Sequence, residues 1–163
     1  VLVVSDNSPI SNFFLIGRLD ILQSLYGTIV MPVRVLQELE ELKMHGIDTS
    51  VIKQLNWISV VKPAENEIFQ KLNAELDYAE ASAISLAMEI NAEVLLIDER
   101  KGTKIAKRYN ISTIGVLGIL LLAKQHRLIE SVQSLLDAMI EKAHLWIDEE
   151  LYLLILKEAK EIL

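Results

Sequence analysis

Short apolar runs alternating with segments of helical periodicity predict a three-layer α/β/α fold, with a central parallel sheet of four or five short strands covered by helices. Two further observations agree with it. The strand candidates are continuous β-branched and leucine runs, as expected when both faces of a sheet are covered. Two of these runs, Val1–Ser5 and Glu93–Ile97, are followed at once by an aspartate, Asp6 and Asp98. In open parallel sheets the carboxyl ends of strands form the edge where ligands bind.

The elements follow in order. Val1–Ser5 is a strand, and Ser8-Pro9 reads as an N-cap followed by proline at the first helical position, opening a helix to about Ile16. Gly17 can end it. Arg18–Tyr26 carries Leu19, Ile21, Leu22 and Leu25 at helical spacing and closes at Gly27. Thr28–Met31 is a strand, and Pro32 starts a helix to about Met44. Asp48–Asn56 is a short helix, Trp57–Val61 a strand, and Glu65–Leu76 a helix after Pro63. Tyr78–Ile90 is a helix with Ala79, Ala83, Leu86, Ala87 and Ile90 on one side. Glu93–Ile97 is the fourth strand, Lys101–Tyr109 a helix and Ser112–Ile114 a brief fifth strand. Helices are expected over Val116–Gln125, Leu128–Ala143 and Asp148–Ile162, the last capped by Asp148. In that last helix Leu151, Leu154, Ile155, Ala159 and Ile162 form the apolar stripe, either a flank of the core or a partner surface.

Bulk composition narrows the class. A chain of 163 residues with 52% hydrophobic content has enough apolar surface for one substantial core. Three prolines and six glycines leave no evident linker, so the expectation is a single domain over 1–163, with a core over 1–125 and a helical extension over 126–163. With no cysteine, disulfides, thiolate metal sites and a cysteine nucleophile are excluded, and the chain fits a reducing cytoplasm. The opening apolar run is too short for a signal peptide, and Ile114–Ala123 is far shorter than the ~20 residues of a membrane span. Net charge is −7, which argues against a constitutively basic nucleic-acid binder. Yet Arg100, Lys101, Lys104, Lys107 and Arg108 cluster after Asp98, either as a solvated helix face or as a phosphate-contacting patch.

Four acids carry the functional argument: Asp6, Glu38, Glu80 and Asp98. Carboxylates gathered at one sheet edge repel, each like-charged pair at about 4 Å and a dielectric of about 20 costing roughly 4 kcal/mol. Hard cations such as Mg²⁺ or Mn²⁺ relieve that repulsion. Asp6 is free to face the crevice if Ser8 caps the helix. Glu38 lies about 60° from Val35 at the edge of the Val35, Leu39, Leu42 stripe, whereas Glu40 and Glu41 lie about 120–140° away. Glu80 has a competing explanation, since Asp77-x-x-Glu80 fits a capping box. Asp98 could be a turn residue capping the following helix. The three histidines, His45, His126 and His144, have no metal-ligand spacing and are expected to be structural or exposed. No phosphate-binding glycine loop or nucleophile elbow is present.

The ordered segments Val3-Val4-Ser5-Asp6-Asn7-Ser8-Pro9, Pro32-x-x-Val35-x-x-Glu38-Leu39, Glu80-Ala81-x-Ala83-Ile84-x-Leu86-Ala87, Leu95-Leu96-Ile97-Asp98-Glu99-Arg100 and Ala106-x-x-Tyr109-Asn110-Ile111-x-x-Ile114-Gly115-Val116-Leu117-Gly118-Ile119-Leu120 resemble PIN-domain proteins. The likeness is to the VapC-type ribonuclease toxins and covers most of residues 1–125. The resemblance implies that Asp6, Glu38, Glu80 and Asp98 are the acidic metal-binding positions, with Glu99 as a further candidate ligand. A family acid after the strand-4 aspartate is either Glu99 or lost, because Lys101, Gly102 and Thr103 follow. Ser8 matches the small polar position beside the first aspartate. The resemblance further implies a Mg²⁺- or Mn²⁺-dependent endoribonuclease, the toxin of a toxin–antitoxin pair, with a small antitoxin protein and a second copy of the chain as partners. Arg100, Lys101 and Lys104 are the expected substrate-backbone contacts, with Ser8. One rival is an inactive PIN-like interaction protein, suggested by the Glu99/Gly102 departure and the acidic charge. A second, a phosphoryl-transfer receiver or phosphatase, lacks a paired aspartate or late-strand lysine.

Overall fold

A run such as Val3-Val4-Ser5 has no polar face to give to water, and in the computed structural model, which describes residues 1–163, it lies at the centre of the sheet. Strand β1 (Val3–Ser5) is buried at every position. It pairs in parallel with β2 (Ile29–Pro32) on one side and β4 (Val94–Leu96) on the other. Strands β3 (Ile58–Val61) and β5 (Thr113–Ile114) form the edges, giving the order β3-β2-β1-β4-β5 with every pairing parallel. The chain therefore builds outwards from β1 through β2 to β3, then crosses back to lay β4 on the other flank. The switch in direction falls between β1 and β4, where Ser5 is in register with Leu96.

Alternate residues of the central strands face opposite layers, as strand geometry dictates. Val3 and Leu96 join one apolar cluster and Val4, Leu95 and Ile97 the other. The first cluster takes in α1 (Asn7–Leu15), α2 (Leu19–Tyr26), α3 (Val33–Glu40), α8 (Val116–Gln125), α9 (Val132–Lys142) and α10 (Glu149–Glu158). The short helix α4 (Ser50–Gln54) adds Ile52 to it. The second is built from α5 (Glu67–Glu75), α6 (Tyr78–Glu89) and α7 (Arg100–Arg108). The expected three layers are present.

Four local expectations are corrected. Helix α1 begins at Asn7, so Ser8 and Pro9 sit inside its first turn and Asp6 takes the N-cap position without a side-chain capping bond. Proline is tolerated there because first-turn N–H groups lack helical partners anyway. The helix expected from Pro32 to Met44 stays α-helical only to Glu40 and tightens into a 3-10 turn over Glu41–His45, closed by left-handed Gly46. Helix α9 starts at Val132, not Leu128: Arg127 has φ of 60° and Ser131 caps the helix by accepting from Ser134 N–H. In α10 the buried face is Ile155, Leu156 and Ala159, while Leu151 and Leu154 are exposed.

The last residues are pinned back onto the fold. The Glu161 carboxylate accepts from Val132 N–H (2.7 Å), Gln133 N–H (2.9 Å) and Lys124 Nζ (2.9 Å), capping α9 from the far end of the chain. Burial opposes the charge, but these bonds outweigh it and hold the Glu161 carboxyl below its usual range. No helix is long and apolar enough to cross a membrane.

Candidate active site

Asp6 leaves β1 at the switch point, its backbone N–H donating to Leu96 O at 2.9 Å across to β4. The side chain is 6% exposed, and its Oδ1 has no hydrogen-bond partner. Burial pushes its carboxyl up to about 7, opposed by the Asn7 backbone N–H and reinforced by the charges of Asp77, Glu38 and Asp98. A carboxylate desolvated, unpaired and ringed by other acids is costly in isolation.

Asp98 leaves β4 beside it. It does not cap the helix that follows; Glu99 does, with Oε2 accepting from Gly102 N–H at 2.5 Å. Asp98 instead faces the switch point and is held there from two sides. Its Oδ1 accepts from Val116 N–H, the first residue of α8, at 2.9 Å, and its Oδ2 from the Ser8 hydroxyl at 3.2 Å. Burial raises its carboxyl, and these two donors oppose that rise. The correction to Ser8 thus has a functional side. Freed from capping, its hydroxyl bridges to Asp98 and receives Asn12 Nδ2 at 3.1 Å.

Glu38 comes from α3, on the shoulder of the buried Val35 and Leu39, as its helical angle requires. Asn7 Nδ2 donates to its Oε2 at 3.3 Å. Burial raises the Glu38 carboxyl, Asn7 opposes, Asp77 adds to the rise and Arg34 relieves it. Glu80 lies in the first turn of α6. Asp77 Oδ1 accepts from Glu80 N–H at 2.8 Å, which is the capping half of the capping box. Burial pushes the Glu80 carboxyl up to about 8, aided by a hydrogen bond shared with the Asp77 carboxyl and by the charges of Asp77, Glu99 and Asp6.

The electrostatic group therefore has more members than the sequence nominated. Asp77 acts on Asp6, Glu38 and Glu80, so it is both a cap and a charge of the site. Its signal was visible as Asp77-x-x-Glu80, but spacing alone assigned it only to the helix end. Asn7 was also overlooked, although it follows Asp6 directly. The Oδ1 atoms of Asn7 and Asn12 are buried without a partner. Glu99 is engaged by the α7 N-terminus. Arg100, Lys101 and Lys104 are exposed on α7, and of the basic run Arg108 alone makes an ion pair, to Glu75 at 3.2 Å. His45, His126 and His144 are exposed, as expected.

The donor set is all oxygen, the chemistry of Mg²⁺ or Mn²⁺ rather than of soft metals. The unpartnered Asp6 Oδ1 and the raised carboxyls of Asp6 and Glu80 fit a site suited to a cation. As the side chains stand, no group of three or more histidine or acidic residues is placed to hold a metal ion, and these acids would have to draw together to do so.

Residues 2–161 match the model of a family described as DUF3368, PIN domain. No curated protein matches the chain. Among solved structures, it is similar to SSO1118, a PilT N-terminus domain protein from the hyperthermophilic archaeon Sulfolobus solfataricus P2. The two share 18% identity over 73% of this chain and 90% of that one, with a TM-score of 0.49. It is also similar to PAE2754 from Pyrobaculum aerophilum, with 15% identity over 71% of this chain and 91% of that one and a TM-score of 0.48.

Proposed function

Because this chain belongs to the PIN-domain family, which has a nuclease fold, we propose that it is a Mg²⁺- or Mn²⁺-dependent endoribonuclease. The observation that carries the reading is Asp6: a buried carboxylate with a free oxygen, at the switch point of the sheet, within the field of three other acids. Ionised side chains are rarely buried without a partner.

Asp6, Asp98 and Glu80, with Glu38, would hold the cation. Its chemistry when bound is to lower the pKa of a coordinated water and to neutralise charge on the phosphate. The remaining work belongs to the chain. Val116 N–H and the Ser8 hydroxyl fix the rotamer of Asp98, and Asn7 fixes that of Glu38. Exclusion of water around Asp6 strengthens every charge interaction there. Arg100, Lys101 and Lys104 lie in the opening turns of α7 immediately after Asp98 and Glu99. They are the proposed contacts to the RNA backbone, which position a strand without reading bases. The decisive experiment is cleavage of single-stranded RNA by purified protein with Mg²⁺ or Mn²⁺. Loss of cleavage in Asp6→Asn supports the reading; an inactive wild type removes it.

In this reading the protein is the toxin of a toxin–antitoxin pair, opposed by a small antitoxin protein and acting as a homodimer. The motifs shared with VapC-type ribonucleases support that role. Exposed apolar residues Trp146, Leu151, Leu153 and Leu154 offer surface for a partner. Growth arrest on expression, absent for Asp6→Asn, is the expected outcome.

One observation favours a second reading, an inactive PIN-like interaction protein: the acids do not converge on a metal-holding group. Calorimetric titration with Mn²⁺ separates the two, since an inactive scaffold shows no binding that depends on Asp6 and Asp98.

A further inference from the structure

Beside the acids lies a cleft of about 250 Å³ whose chemistry differs from theirs. It opens between the start of α3, the segment after β3 and the first turns of α5 and α6. Its walls carry Arg34, Gln37, Lys62, Glu65 and Tyr78, over a floor that includes the buried Phe69. Tyr78 is 40% exposed. It meets Phe69 edge-on at 5.1 Å between centroids, its hydroxyl is hydrogen-bonded to Glu65, and the Arg34 guanidinium stands 5.8 Å over its face. A partly solvent-open aromatic ring is thus held by a T-shaped ring partner, at its hydroxyl tip and by a cation over one face.

The cleft is wired to the acidic site by sequence neighbours. Tyr78 follows Asp77, and Arg34 lies one helical turn before Glu38 on α3, where positions i and i+4 share a face. Arg34 is the cation whose charge relieves Glu38. On a chain of net charge −7, two exposed cations, Arg34 and Lys62, flank one carboxylate in a cleft adjoining a cluster of acids. A polyanion entering the acidic site needs such cations close by. A base needs a ring or guanidinium plane to stack on, and single-stranded RNA is held in this way on aromatic and arginine side chains. The volume is below the roughly 300–1,000 Å³ of pockets for drug-sized ligands, which suits one nucleotide rather than a longer insert.

We infer that this cleft is a nucleotide subsite for single-stranded RNA. It takes one base against Tyr78 and Arg34, and the adjoining phosphate between Arg34 and Lys62. The inference rests on the ribonuclease reading and adds to it the path of the strand: from the acids across Arg34, on the side of α3 and α6 rather than along α7 alone. Gln37, at the cleft wall, is placed to contact a base edge.

The test is fluorescence anisotropy with a short fluorescein-labelled single-stranded RNA. It is run in the Asp6→Asn background with Mg²⁺ present, so that RNA is not consumed. Tyr78→Leu and Arg34→Gln are each expected to weaken binding by about tenfold, the range of a lost base–aromatic stack. Tyr78→Phe, which keeps the ring and loses only the Glu65 bond, retains binding. Lys62→Gln lowers the slope of log affinity against log salt by about 1. Lys71→Gln, an exposed α5 control paired with Glu67, binds as the parent. Thermal melts confirm folding, and if Tyr78→Leu fails to fold, the exposed Arg34→Gln decides. Parent-like binding by Arg34→Gln and Tyr78→Leu, alongside RNA cleavage by the wild type, overturns the subsite and leaves the ribonuclease reading intact. Arg34-dependent binding by a chain whose wild type cleaves no RNA supports the cleft and removes the ribonuclease reading instead.

Discussion

A β-carbon on Gly115 would stand 2.4 Å from Asp98 Oδ1 and 3.3 Å from its carboxyl carbon. The backbone at Gly115 is extended, with φ of −102° and ψ of −177°, so any residue could adopt it. What glycine supplies is space: the Asp98 carboxylate occupies the volume a side chain would take, and there it accepts from Val116 N–H.

Gly115→Ala is therefore expected to expel Asp98 from its position and to break the bond to Val116. Overpacking of this kind destabilises by about 1–3 kcal/mol. Urea denaturation measures that loss, and RNA cleavage should fall at least as far as in Asp98→Asn. Full activity in a folded Gly115→Ala protein would remove Asp98 from the site.

Raised carboxyls set a pH dependence whose sign is fixed. Asp6 rises from 3.8 to about 7 and Glu80 from 4.5 to about 8, both chiefly through burial. Between the unfolded and folded values the native state binds more protons than the unfolded one, so stability falls as pH rises across that window. In metal-free buffer the melting temperature should decline from pH 5 to pH 8. Asp6→Asn should flatten the decline and be the more stable protein at pH 8. A melting temperature that rises over this range contradicts the burial of Asp6.

Divalent cations should reverse the same trend. Mg²⁺ or Mn²⁺ binding the native state alone stabilises it by mass action. The gain should be larger at pH 8 than at pH 5, because protons compete for the same oxygens. Asp6→Asn and Asp98→Asn should each abolish it in thermal melts with and without EDTA.

Glu161→Ala leaves Val132 and Gln133 N–H without their acceptor and takes from Lys124 its carboxylate, leaving it the Ala159 carbonyl. Losing a charged cap and its hydrogen bonds costs about 2 kcal/mol, to be read from urea denaturation. RNA cleavage at permissive temperature should be unchanged, since Glu161 is bonded to α8 and α9 rather than to the acids.

Asp6 and Asp98 were legible in the sequence because each ends an uninterrupted apolar run, and in a parallel sheet such run ends share one edge. Glu38 was legible through its angle to Val35. Asp77 was legible only as a cap, because spacing reports neighbours along a helix and not the charges that tertiary packing brings near. Ser8 was misassigned for a related reason: serine before proline satisfies a local rule, while its partner is Asp98, ninety residues away. Of the α10 stripe, Ile155 and Ala159 are buried while Leu151, Leu154 and Ile162 are exposed; Leu153 and Leu156 are as apolar as Leu151 and Leu154, so periodicity alone could not choose the face. Gly115 could not be read at all, since its role exists only once β4 and β5 pair Leu96 with Ile114.

That dependence has a bearing on biosynthesis. Asp6 emerges from the ribosome first, but the donor that orients Asp98 is Val116, and the room it needs is at Gly115. A nascent chain displaying Asp6, Glu38 and Glu80 has no backbone donor to orient the fourth acid until the turn into α8 is made. Whatever the four acids do together waits on the turn into α8, because only then does Val116 N–H reach the Asp98 carboxylate and hold it.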